Sequence, residues 1–263
     1  MKTFKNRIAV NLDDTAEVSV NGFIAPVEYS AGDFHKRWDA LANLRVAEPE
    51  MQYSASVFRA FLPSGAVSVG EVWRIEEAGA LALLRQLHPK PHLDLHHDAG
   101  DSCGLWACLR SYNNELAHVV FRIHAEFALT VGWFTPSQFA GNLVIDRNED
   151  KIVFFQMRVP EGVMNFDANW QTTEEGWRPA TIITDTGYCP QMELRAGIDP
   201  GVQNLEFIEA ITEEEAAHKL ILCFYDSEQI HWVPLDEALE IAQVQQKHVH
   251  AISVDGPLAD ESC

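Results

Sequence analysis

Nowhere in this sequence do 18 apolar residues run together, so no transmembrane helix is expected. The opening residues, MKTFKNRIAVNLDD, carry two lysines and an arginine without an apolar stretch behind them. No signal peptide is therefore expected. Basic charge is scarce: 19 Lys and Arg stand against 39 Asp and Glu, a net charge of −20. Phosphate binding needs a basic face, so neither nucleic acid nor an anionic membrane is an expected partner. Cysteine is sparse too, with Cys103, Cys108, Cys189, Cys223 and Cys263 odd in number and irregular in spacing. Without an export signal, reduced thiols in a cytoplasmic setting are the expectation.

What is present is enough for a core. A chain of 263 residues, 47% hydrophobic and 22% charged, can bury one without disulfide staples. RIAVNL (7–12) and AEVSVNGFIA (16–25) are expected to pair as a hairpin, and 30–44 has helical spacing after Ser30. AVSVGEVWRI (66–75) reads as a strand, EEAGALALLRQLH (76–88) as a helix, and the Pro- and Gly-punctuated stretch after it as loop. HVVFRIHAEFALTV (118–131) alternates with a period of two, which predicts one half-buried strand. Residues 143–159 read as a hairpin around the turn-forming group 146–151, with further strands at 163–170 and in QMELRA.

From Ile211 the texture changes to alternating helix and strand. Thr212 and Glu215 form a capping box, and Ala216, Ala217, Leu220, Ile221 and Phe224 supply an apolar face. QIHWV, the helix from 234 and HVHAISV from 248 then suggest a parallel βαβ unit. A strand leading through a short loop to Cys263 is where a thioredoxin-like fold carries its dithiol. The expected class is α+β: a β-rich N-terminal and central part followed by a partial thioredoxin-like βαβ unit. The expected segments are 1–117, 118–210 and 211–263.

Five stretches in order carry a family resemblance. They are Phe121-Arg122-Ile123-His124-Ala125-Glu126-Phe127, Trp133-Phe134-Thr135-Pro136-Ser137-Gln138-Phe139, Pro190-Gln191-Met192-Glu193-Leu194, the Glu-Glu-Ala-Ala helix, and the tail from Pro234 to Ser262-Cys263. Together they resemble the selenoprotein N family over about 118–263. In that family the tail continues as Ser-Cys-selenocysteine-Gly at a thioredoxin-like site. Ser262 and Cys263 match its first two positions. The resemblance implies that this chain ends just before a selenocysteine, whose UGA codon standard translation reads as stop. It implies a thiol/selenol oxidoreductase acting on protein disulfides or peroxide, with an unidentified thiol reductant and no added cofactor. The selenocysteine would attack, and Cys263 would be the paired thiol. As a 263-residue chain it is expected to be inactive, with Cys263 a slow thiol beside Asp260, Glu261 and the terminal carboxylate. An unpaired sheet edge would favour self-association into a homo-oligomer.

Two rival readings stand beside it. One is a non-catalytic β-rich binding or scaffold domain. The other is a metal site, for which His92, His96, His97, Cys103 and Cys108 are weak candidates; C-x4-C is not a usual zinc knuckle, and a polar loop is the plainer reading. Asp146, Asn148 and Asp150 open like an EF-hand loop, but Lys151 stands where glycine is needed, which favours a hairpin turn. Arg122, His124 and Glu126 share one strand face; they would line a pocket or, more plainly, form a solvated or salt-bridged face. Trp133, Phe134 and Phe139 are expected in the core or at an interface.

Overall fold

The computed structural model describes residues 6–13, 15–94, 104–172, 181–224 and 233–251. The strands are β1 (Glu17–Ile24), β2 (Tyr29–Ser30), β3 (Glu50–Ser54), β4 (Val72–Arg74), β5 (Pro91–His92), β6 (Leu105–Tyr112), β7 (Leu116–Ile123), β8 (Glu126–Leu129), β9 (Gly132–Pro136), β10 (Phe139–Asp146), β11 (Lys151–Arg158), β12 (Phe166–Gln171), β13 (Ile182–Tyr188), β14 (Met192–Gly197) and β15 (Glu209–Ala210). The helices are α1 (Phe34–Arg37), α2 (Asp39–Ala42), α3 (Ser56–Arg59), α4 (Glu77–Leu87), α5 (Glu213–Ile221) and α6 (Leu235–Gln245). The protein is thus β-rich with helices, an α+β arrangement. One sheet runs β15-β6-β7-β10-β11-β14-β1-β3, with β4 also on β6; the other runs β2-β13-β12-β9-β8-β5. Neighbouring strands in both sheets are antiparallel among the described residues.

The element that joins the sheets is one long bent hairpin. β7 pairs with β10 in the large sheet, and the same two chain segments continue as β8 and β9, paired in the small one. The predicted single strand over 118–131 therefore breaks at His124-Ala125. Ile123 pairs with Phe139 and Phe127 with Phe134, so the β9–β10 side has one residue more across the corner. Such a bulge bends a ribbon and lets a strand change sheets. Both faces of this segment are covered, and the expected half-buried pattern is replaced by burial from Ala117 through Phe127.

The hairpin expected around 146–151 is β10–β11. Asp146 Oδ1 accepts the N–H of Asn148 at 2.8 Å and of Glu149 at 3.1 Å, which makes the acidic group a turn. RIAVNL does not pair with β1. Both edges of β1 are taken by β14 and β3, and RIAVNL keeps only an antiparallel bridge from Ile8 to Val67. The helix expected over 30–44 splits at Trp38, which is extended (φ −97°, ψ 107°). Of 66–75, only β4 joins the sheet, after a turn at Gly70 (φ +80°).

Helix α4 falls where its periodicity predicts. Ala80, Leu83, Leu84 and Leu87 are buried, and Gln86 Nε2 donates to the carbonyl of Val20 at 2.8 Å. Gly79 lets α4 touch α3: a Cβ there would lie 2.3 Å from Ala60 Cβ and 2.5 Å from the Val57 carbonyl. Phe58, Phe61, Phe121 and Phe155 form the aromatic centre of the core, with Phe61–Phe121 centroids 4.8 Å apart and Phe58–Phe155 5.0 Å apart. Burying four such rings supplies several kcal/mol of apolar transfer energy, at about 1.5–3 kcal/mol each.

The capping box of α5 is present: Thr212 Oγ1 accepts from the Glu215 N–H, and Glu215 Oε2 from the Thr212 N–H, both at 3.0 Å. α5 packs on β6 and β7, burying Ala216 and Leu220. α6 forms where predicted, yet buries no residue, and Leu235, Leu239 and Val244 are exposed. Of the strands expected around it, 229–232 and 252–254 lie outside the described residues, and 248–251 are neither helix nor strand.

Candidate functional site

The corner of the bent hairpin collects polar side chains that the protein buries. Arg122, His124 and Glu126 are 7%, 4% and 1% exposed, which overturns the solvated-face expectation. Arg122 Nε donates to His124 Nε2 at 3.1 Å. His124 Nε2 is thus an acceptor, and burial together with the Arg122 charge holds its pKa well below the ordinary histidine value, against a backbone hydrogen bond with Ser137. The Phe224 ring, just past α5, stacks on the imidazole at 3.8 Å and 9°. The His124 N–H donates to Gly104, whose missing side chain makes room: a Cβ there would lie 2.6 Å from His124 Cβ.

A second pair repeats this logic between β6 and β7. Arg110 Nη1 lies 3.2 Å from His118 Nδ1, while His118 Nε2 lies 2.8 Å from Asn142 Oδ1. Arginine can only donate, so Nδ1 accepts and Nε2–H donates. Burial pushes the His118 pKa down to about 4, the Arg110 charge lowers it further, and the Asn142 bond opposes.

On the small sheet, Asp167 sits on β12 beside Thr135 of β9. It is 1% exposed, and burial raises its carboxyl to about 7, with Glu126 of β8 adding charge repulsion. A hydrogen bond from Asn169 holds it down in part. Asn169 Nδ2 donates to Asp167 Oδ2, and Asn169 Oδ1 accepts from the Thr184 hydroxyl. A carboxyl that titrates near neutrality can exchange a proton at working pH.

A pocket of about 360 Å³ opens between α5 and the large sheet. Arg122, Gln138, Asn142, Arg158 and Glu213 line it. It places one end of the Arg122–His124 pair against a cavity.

Ser262 and Cys263 lie outside the described residues, as do His96, His97 and Cys103. His92 is exposed on β5, and Cys108 is buried in β6. Among the described residues no group of three or more His, Cys, Asp and Glu could hold a metal ion. Cys108, Cys189 and Cys223 are free thiols. Burial raises Cys108 to about 12 and Cys189 to about 11, and it raises Cys223 as well. Trp133, Phe134 and Phe139 are buried, as expected.

Sequence reasoning singled out Arg122, His124 and Glu126 but passed over Asp167, Asn169, Thr135 and Gln138. A signal existed: Asn165, Asp167 and Asn169 alternate with Phe166, Ala168 and Trp170, a strand with one polar face. What it lacked was any sign that this face is covered.

Three curated relatives match the chain, and each is selenoprotein N. The mouse protein (Mus musculus) is 28% identical over 85% of this chain, the zebrafish protein (Danio rerio) 28% over 93%, and the human protein (Homo sapiens) 26% over 99%. The chain is selenoprotein N-like. Likeness to selenoprotein N thus reaches the first 117 residues, which carried no recognisable motif, as well as the corner. The chain spans about half the length of the selenoprotein N relatives it matches, 50–52%. No family model matches it, and no solved structure does so significantly.

Proposed function

We propose that this selenoprotein N-like chain is the body of a thiol/selenol oxidoreductase that reduces protein disulfides or peroxide. The observation that carries this reading is the similarity to selenoprotein N over 85–99% of the chain, together with Ser262-Cys263 matching the first two positions of the family's Ser-Cys-selenocysteine-Gly motif. Supporting it, the described thiols are poor nucleophiles: Cys108 and Cys189 are buried with raised pKa values, and thiolate is the attacking form. The reading assigns redox chemistry to the motif at Cys263. In that chemistry the selenolate following Cys263 attacks a substrate disulfide, releasing one thiolate. The Cys263 thiolate then attacks selenium, releases the second, and leaves a Se–S bond. Two electrons from a thiol reductant restore the pair. A thioredoxin-like unit over 211–263 would carry the motif, and a reducing, cytoplasmic setting fits the three free thiols. Asp167 is the described group suited to proton exchange near neutrality.

The test compares the 263-residue chain with the same chain carrying selenocysteine-glycine after Cys263, both assayed for reduction of a disulfide substrate. The extended protein is expected to turn over and its Cys263→Ser variant to stall after one attack. Equal rates with and without the extension overturn the reading. That outcome would favour the non-catalytic scaffold, for which the paired sheets with their buried, protonated thiols are the supporting observation.

A further inference from the structure

A pocket of about 480 Å³ lies at the tip of the bent hairpin, away from the polar residues of the corner. Phe34, Arg37, Trp38, Asp39, Val131 and Trp170 line it. The Phe34 ring stands nearly at right angles to each of the two indoles. Phe34 meets Trp38 at 88° with centroids 6.0 Å apart, and Trp170 at 82° with centroids 6.3 Å apart. Two tryptophans therefore stand as walls to one phenylalanine.

Each wall is fixed from a different part of the fold. Asp185 on β13 accepts the N–H of Phe34 at 2.9 Å and also binds the Gly32 N–H, which pins the turn before α1. Trp38 Nε1 donates to the Thr130 carbonyl at 3.2 Å, tying the second ring to the hairpin tip. Trp170 stands on β12 opposite Gly132. The tip carries two left-handed residues, Val131 (φ +65°) and Gly132 (φ +141°). Positive φ is costly for a β-branched residue and persists only where surroundings impose it. At Gly132 a Cβ would lie 1.9 Å from the Asn169 carbonyl and 3.0 Å from the Trp38 ring. The backbone is thus drawn up against the indole.

From this geometry we propose that Phe34, Trp38 and Trp170 form an aromatic box for an alkylammonium group, the chemistry of a methylated lysine or of choline. Ring faces carry negative quadrupole, and a cation bounded by several of them is held without hydrogen bonds. Asp39 at the rim adds an opposite charge, and a net charge of −20 draws cations in. Arg37 lines the same pocket and opposes a cation.

The experiment titrates the protein with choline, with its neutral isostere 3,3-dimethylbutan-1-ol, and with a trimethyllysine peptide, following the indole N–H signals of Trp38 and Trp170. Choline or the peptide is expected to saturate, with the isostere about tenfold weaker. Trp170→Leu should abolish binding while the melting temperature holds, and Arg37→Met should tighten it. Tighter binding of the peptide assigns the ammonium to a modified protein tail, and tighter binding of choline to a free amine or headgroup; both support the box. Equal binding of choline and its isostere, or no saturation by either cation, overturns it.

Discussion

Arg122 and His124 are joined inside the protein by a hydrogen bond in which the histidine is the acceptor. Arg110 on β6 and His118 on β7 stand in the same relation. Both imidazoles are therefore neutral in the folded chain, and both resist protonation. An unfolded histidine titrates near 6.5. His118 waits until about 4. Between those values the unfolded chain binds more protons, so stability present above pH 6.5 is lost as pH falls. For His118 the loss is roughly 3 kcal/mol by pH 4. His118→Gln, which keeps a donor toward Asn142, is expected to flatten this acid limb. Urea denaturation at pH 7, 5 and 4 measures it.

Asp167 runs the other way. Its carboxyl is raised to about 7, while an unfolded aspartate titrates near 3.9. Across that window the folded chain binds more protons, so its contribution is present at low pH and lost as pH rises toward 7, by up to roughly 4 kcal/mol. Asp167→Asn is expected to be more stable than the parent at pH 8 and to lose that advantage by pH 4. Glu126→Gln removes a neighbouring charge and should lower the Asp167 pKa, read from its carboxyl carbon signal in NMR titration.

Gly79 sets two effects against each other. Alanine in a helix interior gains about 1 kcal/mol over glycine. Here the added methyl meets Ala60 Cβ at 2.3 Å and the Val57 carbonyl at 2.5 Å, and neither is a flexible chain end. Overpacking costs about 1–3 kcal/mol. Gly79→Ala is expected to lower the melting temperature by several degrees, and calorimetry decides the sign.

The described thiols should rank by burial. Cys108 and Cys189 are expected to resist iodoacetamide at pH 7.5 until the protein is unfolded, because their thiolates are suppressed. Cys223, less buried, should label first of the three. Mass spectrometry of a time course gives the order.

Local signals were legible where neighbours in sequence decide the structure. The Asp146 turn, the Thr212–Glu215 capping box and the apolar stripe of α4 all depend on contacts within a few residues. The corner was not legible. Period two continues through His124-Ala125, because side-chain alternation does not record which sheet the backbone joins. Arg122, His124 and Glu126 looked like a wet face for the same reason: what meets His124 comes from Gly104, Ser137 and Phe224. RIAVNL was assigned a partner by proximity, and β14, some 170 residues away, took that edge instead.

The bent hairpin makes one ribbon serve two sheets. Pulling either sheet open strips the ribbon from the other, so the layers lack independent ways to unravel. Amide exchange should report this as a shared opening event: the N–H groups of Phe121 and Phe127, on opposite sides of the bend, are expected to exchange with the same free energy and the same denaturant dependence.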